Sequence, residues 1–190
     1  MQFVLGAYRQ QKVHGRTGIV GEFGEVTYTV ERRKGAVRRS GPHYEVRLHG
    51  ERVPEVLYRT IGPGRATLTN ARLSVDGEPV SMMFNSRAFR SSSRALHLQY
   101  AERTYEYVVR GFERGSVLSR PGVQVVITHG KSPYGKGMSA FGTATGDADG
   151  IDLALAIVFE GVDTQELTPS GAVSDALNRL LLSSNETPVD

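Results

Sequence analysis

Asp149-Gly-Ile-Asp-Leu-Ala-Leu-Ala-Ile-Val-Phe159 holds the longest apolar run in the chain, and its reading decides the fold. Crossing a hydrocarbon core takes about 20 apolar residues, so this run is too short to be a membrane span. Its alanines and leucines favour helix over strand. Asp149 is placed to cap the first turn, and Asp152 adds negative charge there. The expected helix covers residues 150–160. A helix that is apolar on every side must be buried on every side, so Ile151, Leu153, Leu155, Ile157, Val158 and Phe159 are expected in the core with a β-sheet closed around them.

What precedes the run reads as strands and turns. Phe3–Tyr8 and Gly18–Glu22 are the first candidate strands. Val26, Tyr28 and Val30 then alternate with Thr27 and Thr29, and Tyr44, Val46 and Leu48 with Glu45, Arg47 and His49, so each stretch has one apolar and one polar face. Ala66–Val75 and Val80–Phe84 flank Asp76-Gly77, a strong hairpin signal. Further alternation follows over Leu96–Tyr100 and Tyr105–Val109. Ser116–Arg120 and Val123–Thr128 pair across Pro121-Gly122, and Lys136–Thr145 is the last candidate, its glycines allowing close approach of backbone or helix. About twelve short strands without intervening helical patterns exclude a parallel α/β fold and imply a mainly-β barrel or sandwich.

After the run, Thr168-Pro169 is a good N-cap and first-turn pair. Val173, Leu177, Leu180 and Leu181 repeat at helical spacing with Ala172 and Ala176, which predicts an amphipathic helix over 169–182. Its stripe packs on the sheet or serves as an interface with a partner. Residues 183–190 read as a polar tail. The expectation is one domain over residues 1–182.

The chain has 190 residues and no cysteine, so it has no disulfide, no thiolate metal site and no cysteine nucleophile. No signal peptide is visible after Met1, and a cytoplasmic location with access to a membrane surface is expected. Net charge is +3, but residues 1–120 carry 20 Lys/Arg against 11 Asp/Glu, and residues 121–190 carry 3 against 9. The densest cationic feature is the connection Glu31–Pro42, which gathers Arg32, Arg33, Lys34, Arg38 and Arg39 on an expected hairpin tip. Those five are the candidate ligand-binding residues, and an anionic lipid headgroup or an acidic protein is the partner they would suit.

Catalytic and cofactor motifs fail on inspection. A phosphate loop ending at Gly130-Lys131-Ser132 would need glycine where Val125 stands. Gly135-Lys-Gly137-Met-Ser-Ala140 has dinucleotide-fingerprint spacing but no helix to aim at a pyrophosphate. Asp147, Asp149 and Asp152 fall short of a calcium loop, and capping accounts for the last two. The five histidines match no metal spacing, and no nucleophile elbow occurs. The basic hairpin lacks the aromatics of a nucleic-acid stacking surface. No cofactor, metal or catalytic residue is therefore expected.

The segment Gly142-Thr-Ala-Thr-Gly-Asp-Ala-Asp-Gly-Ile-Asp-Leu-Ala-Leu-Ala-Ile-Val-Phe-Glu160, after about twelve strands, resembles the closing strand and hydrophobic helix of the tubby-like superfamily, which includes tubby C-terminal domains, phospholipid scramblases and plant LURP-one-related proteins. The resemblance implies a closed antiparallel barrel with the helix threaded through it, and binding rather than catalysis. The functional expectation is thus a non-enzymatic module recognising an anionic partner. The alternative is a structural protein that forms an oligomer or larger assembly through the C-terminal helix or sheet edges.

Overall fold

The computed structural model describes residues 1–10, 13–33, 43–60, 68–84, 94–111, 115–132 and 138–168. For Arg32, Arg33 and His43 it describes the backbone alone. Twelve strands follow one another: β1 (Gln2–Gln10), β2 (Val13–Ile19), β3 (Glu25–Arg33), β4 (His43–Gly50), β5 (Val56–Thr60), β6 (Ala71–Val75), β7 (Glu78–Phe84), β8 (Leu96–Tyr100), β9 (Arg103–Gly111), β10 (Gly115–Arg120), β11 (Val123–Lys131) and β12 (Met138–Gly146). Each pairs antiparallel with the next, and β1 also pairs with β12, so the sheet closes into a barrel. The closing ladder matches Gln2–Leu5 with Ala140–Thr143, while Gly6–Gln10 pairs with β2.

Period-two alternation builds the wall. Val26, Tyr28 and Val30 are buried on β3, Val46 and Leu48 on β4, Val56 and Tyr58 on β5, Tyr105 and Tyr107 on β9, and Val123, Val125 and Ile127 on β11. All but Val123 belong to one core cluster that also takes in α1 (Gly150–Val158). Residues Leu153–Val158 are at most 1 % exposed. The helix α1 packs against β4 and β5 and also against β10 and β11. Four strands separate these two pairs in either direction round the circuit. The helix continues as a short 3-10 turn, Phe159–Gly161, and Ile151 at its start is only half-buried.

Up-and-down topology gives the barrel two different ends. At one, which we call the turn end, the connections are short, including the two-residue hairpins Asp76-Gly77, Ala101-Glu102 and Pro121-Gly122. Asp76 and Gly77 both have positive φ, as a tight hairpin of this twist requires. Ala101 and Glu102 adopt the same left-handed region without a glycine. At the other, the loop end, strands are joined through 11–12, 34–42, 61–70, 85–95, 112–114 and 132–137.

Several expectations need correction. The second strand is Val13–Ile19 rather than Gly18–Glu22, because Gly21 and Gly24 hold positive φ around a 3-10 turn at Gly21–Phe23. Val56–Thr60 is a further strand, and within the expected strand Ala66–Val75 the described residues 68–70 form a turn before β6 begins at Ala71. Arg32 and Arg33 belong to β3, opposite Tyr44 and His43, rather than to a hairpin tip. Lys34, Arg38, Arg39, the segment 169–182 with Val173, Leu177, Leu180 and Leu181, and the tail 183–190 lie outside the described residues.

Candidate functional site: the anchored helix and the loop-end cleft

Both ends of α1 are tied to the strands by polar side chains. At the N-terminus Asp149 is the N-cap: its Oδ1 accepts from the backbone N–H of Ile151 at 3.0 Å and of Asp152 at 3.1 Å. The Asp149 N–H in turn donates to Asp152 Oδ2 at 2.8 Å, completing a capping box. Arg120, at the end of β10, grips the fully buried Asp152 with Nε on Oδ1 at 2.7 Å and Nη2 on Oδ2 at 2.8 Å. Arg103, at the start of β9, pairs with Asp149 Oδ2. Burial alone would push the Asp149 carboxyl up, but the Arg103 hydrogen bond and the backbone donors of Asp152 and Ile151 together hold it below the usual carboxylate range. The carboxylates thus satisfy helix N–H groups and are themselves neutralised by two arginines.

The C-terminal end of the helix faces the loop end. Its last carbonyls would be orphaned inside an apolar core. Tyr28 Oη donates to the Glu160 carbonyl at 3.3 Å, and Tyr44 Oη donates to that of Gly161. Burial pushes the Tyr28 hydroxyl up to about 12, with Arg16 acting against the shift. The Glu160 side chain is 3 % exposed, with Oε2 at 2.6 Å from His129 Nε2 and Oε1 at 3.4 Å from Ser116 Oγ. Phe159 packs on the Tyr107 ring, centroids 4.6 Å apart. Serine, histidine and carboxylate meet here, but the carboxylate stands in the middle. A nucleophilic triad needs histidine between the other two, so this cluster fixes the helix end rather than activating Ser116.

Above it lies a cleft of about 430 Å³ lined by His14, Arg16, Tyr28, Tyr44, Glu160 and Asp163 among others. Arg16 spans its rim, donating to the Met138 carbonyl at 2.7 Å. Arg32 and Arg33 continue β3 beyond Tyr28 and Val30, so their backbone reaches the loop end on the same strand that lines the cleft. Among the described residues no cluster of three or more His, Asp or Glu is placed to hold a metal ion, and no helix is long and apolar enough to cross a membrane.

None of the anchoring strand residues was singled out by motif. They do lie on legible rows: Val123, Val125 and Ile127 lead to His129, Ser116 and Leu118 to Arg120, and Tyr107 and Tyr105 back to Arg103, each at period two. A polar residue extending an apolar row was the available signal. Comparison with family models, with curated proteins and with solved structures finds no match to this chain.

Proposed function

We propose that this protein is a tubby-like barrel with α1 in its lumen, acting as a non-catalytic binding module whose loop end takes an anionic membrane surface. Support for the luminal helix comes from its near-complete burial and its packing against strands on opposite sides of the circuit. The observation that carries the binding role is the segregation of charge between the two ends. The six loop-end connections carry ten Lys/Arg, Arg94 among them buried, and one acidic residue, Glu113, while the segment after α1 brings Glu160, Asp163 and Glu166 to the same end. The turn-end connections, including 147–149, carry seven Asp/Glu and one basic residue, Arg52. Basic residues near an anionic leaflet contribute roughly 1 kcal/mol each, so several loops acting together give useful affinity without a deep pocket. Arg32, Arg33, Lys34, Arg38 and Arg39 on the β3–β4 hairpin form the densest part of that surface. The reading places the protein in the cytoplasm, at a membrane face.

Co-sedimentation with neutral and anionic vesicles at two salt concentrations tests it, using the native chain and a variant with those five residues changed to serine. The expected result is binding that requires anionic lipid, weakens with salt, and falls at least tenfold in the variant. Undiminished binding by the variant, or no binding to any vesicle, overturns the reading. The absence of binding, together with salt-sensitive self-association, would favour an assembly role in which the acidic end of one copy meets the basic end of the next.

A further inference from the structure

The barrel wall is thin at β7, which changes partners along its length as β1 does. The ladder between β6 and β7 runs only over Leu73–Val75 and Glu78–Val80, whereas β7 continues to Phe84 on β8 and β6 reaches back to Ala71 on β5. Where the two strands diverge there is a groove of about 500 Å³ lined by Met82, Met83, Phe84, Thr69 and Arg72 over the buried Leu73, among others. Met83 is 60 % exposed, an uncovered apolar side chain at the edge of this groove.

The described chain ends beside this groove. Glu166 Oε2 accepts from the backbone N–H of Leu68, a lining residue, at 2.6 Å. The buried Arg94 guanidinium donates through Nε to the Glu166 carbonyl at 2.8 Å, and Leu167 is itself part of the core. Twenty-two residues follow Thr168, beginning with Pro169 and carrying the stripe Val173, Leu177, Leu180 and Leu181. A fourteen-residue helix would be about 20 Å long, enough to run along a groove of this size from its fixed starting point.

We infer that segment 169–182 docks its apolar stripe into the β6–β7 groove of its own barrel and covers the wall there. Apolar area on both sides and a tether only a few residues long make the contact effectively intramolecular, which favours it over capture of a separate chain. The inference is independent of vesicle binding, because it concerns a different surface and needs no lipid.

The cysteine-free chain makes the test clean. Met83→Cys is combined with Leu177→Cys, and as a control Ile19→Cys, which is on β2 away from the groove and exposed, is combined with the same Leu177→Cys. Under mild oxidation the first pair is expected to form an intrachain disulfide at least tenfold faster than the control. In parallel, hydrogen exchange compares the native chain with Val173→Asp/Leu177→Asp/Leu180→Asp. Amides of 71–72 and 81–84 are expected to exchange at least tenfold faster in the variant, with β10 and β11 unchanged. Equal cross-linking of both pairs, cross-links only between chains, or unchanged exchange at 71–72 and 81–84 would overturn the inference. The second result would identify another copy as the occupant.

Discussion

Arg120 and Asp152 form a two-point ion pair, at 2.7 and 2.8 Å, between the end of β10 and the first turn of α1, with the carboxylate wholly buried. Breaking such a pair strands a charge, at a cost of about 3–5 kcal/mol. The neighbouring Arg103–Asp149 pair has both side chains more than a third exposed, a setting in which ion pairs contribute about 1 kcal/mol or less. Arg120→Ala is therefore expected to lower stability several times more than Arg103→Ala in urea unfolding. The double variant Arg120→Met/Asp152→Leu should recover most of the loss, and equal costs for the two single arginine variants would show that burial does not set their worth.

The acid limb of stability should reflect Asp149. Its folded carboxyl lies below the unfolded value, so its contribution is present above the unfolded pKa and disappears as pH falls through the folded one. Asp149→Asn keeps a capping oxygen but removes the titration. Urea midpoints measured from pH 6 down to pH 2 should fall less steeply for that variant than for the native chain.

Alkaline stability should depend on Tyr28. Its folded pKa is raised to about 12 by burial, above the ordinary tyrosine value of about 10. A raised value contributes stability fully present below the unfolded pKa and lost as pH rises towards the folded one. The free energy of unfolding should thus drop between pH 10 and 12, by on the order of 2 kcal/mol for this one group. Tyr58 and Tyr107, also raised by burial, act in the same direction. Tyr28→Phe should be less stable at neutral pH, having lost its bond to the Glu160 carbonyl, yet show a shallower alkaline decline.

Gly142 on β12 lies opposite Phe3 in the closing ladder, and a methyl group there would occupy the space of the Phe3 ring. Gly142→Ala is expected to cost about 1–3 kcal/mol, as overpacking does. Adding Phe3→Leu should return part of that loss, and strictly additive effects in a double-mutant cycle would show that the ring is not what excludes the side chain.

Replacing His129 by Leu leaves the buried Glu160 carboxylate with one weak donor, Ser116 at 3.4 Å. A loss of about 2–3 kcal/mol is expected. Glu160→Gln in the same chain should relieve it, because a neutral amide costs less to bury, and melting curves of the four variants report the coupling.

The barrel and helix were legible because their signals are periodic and local. Alternation marks most of the strands, Asp76-Gly77 marks one hairpin, and Asp149 with Asp152 marks the helix start. The Ala101-Glu102 hairpin and the turn at Gly21–Phe23 were harder, since one lacks the expected glycine and the other carries apolar flanks that mimic a strand. The helix anchors were missed for a different reason. His129, Arg120 and Tyr28 matter through partners more than 30 residues away, at Glu160 and Asp152, and no spacing in sequence encodes which strand row will face which helix residue. The placement of charge depends on topology in the same way. Divided along the sequence it looks like a basic body and an acidic tail, but up-and-down topology sends alternate connections to opposite ends, and only then does the segregation become clear.

The pairing of β1 with β12 sets a constraint on how the chain is made. Residues 2–5 are synthesised well before their partners at 140–143, which emerge about 140 residues later. Throughout that interval β1 keeps half of one edge open, with Phe3 and Leu5 lacking the strand beside them. Barrels with such distant contacts fold slowly and expose sticky edges meanwhile. A stalled or truncated product lacking β12 would therefore present an unpaired edge to its neighbours, and aggregation of such fragments in the cell is the failure this topology invites.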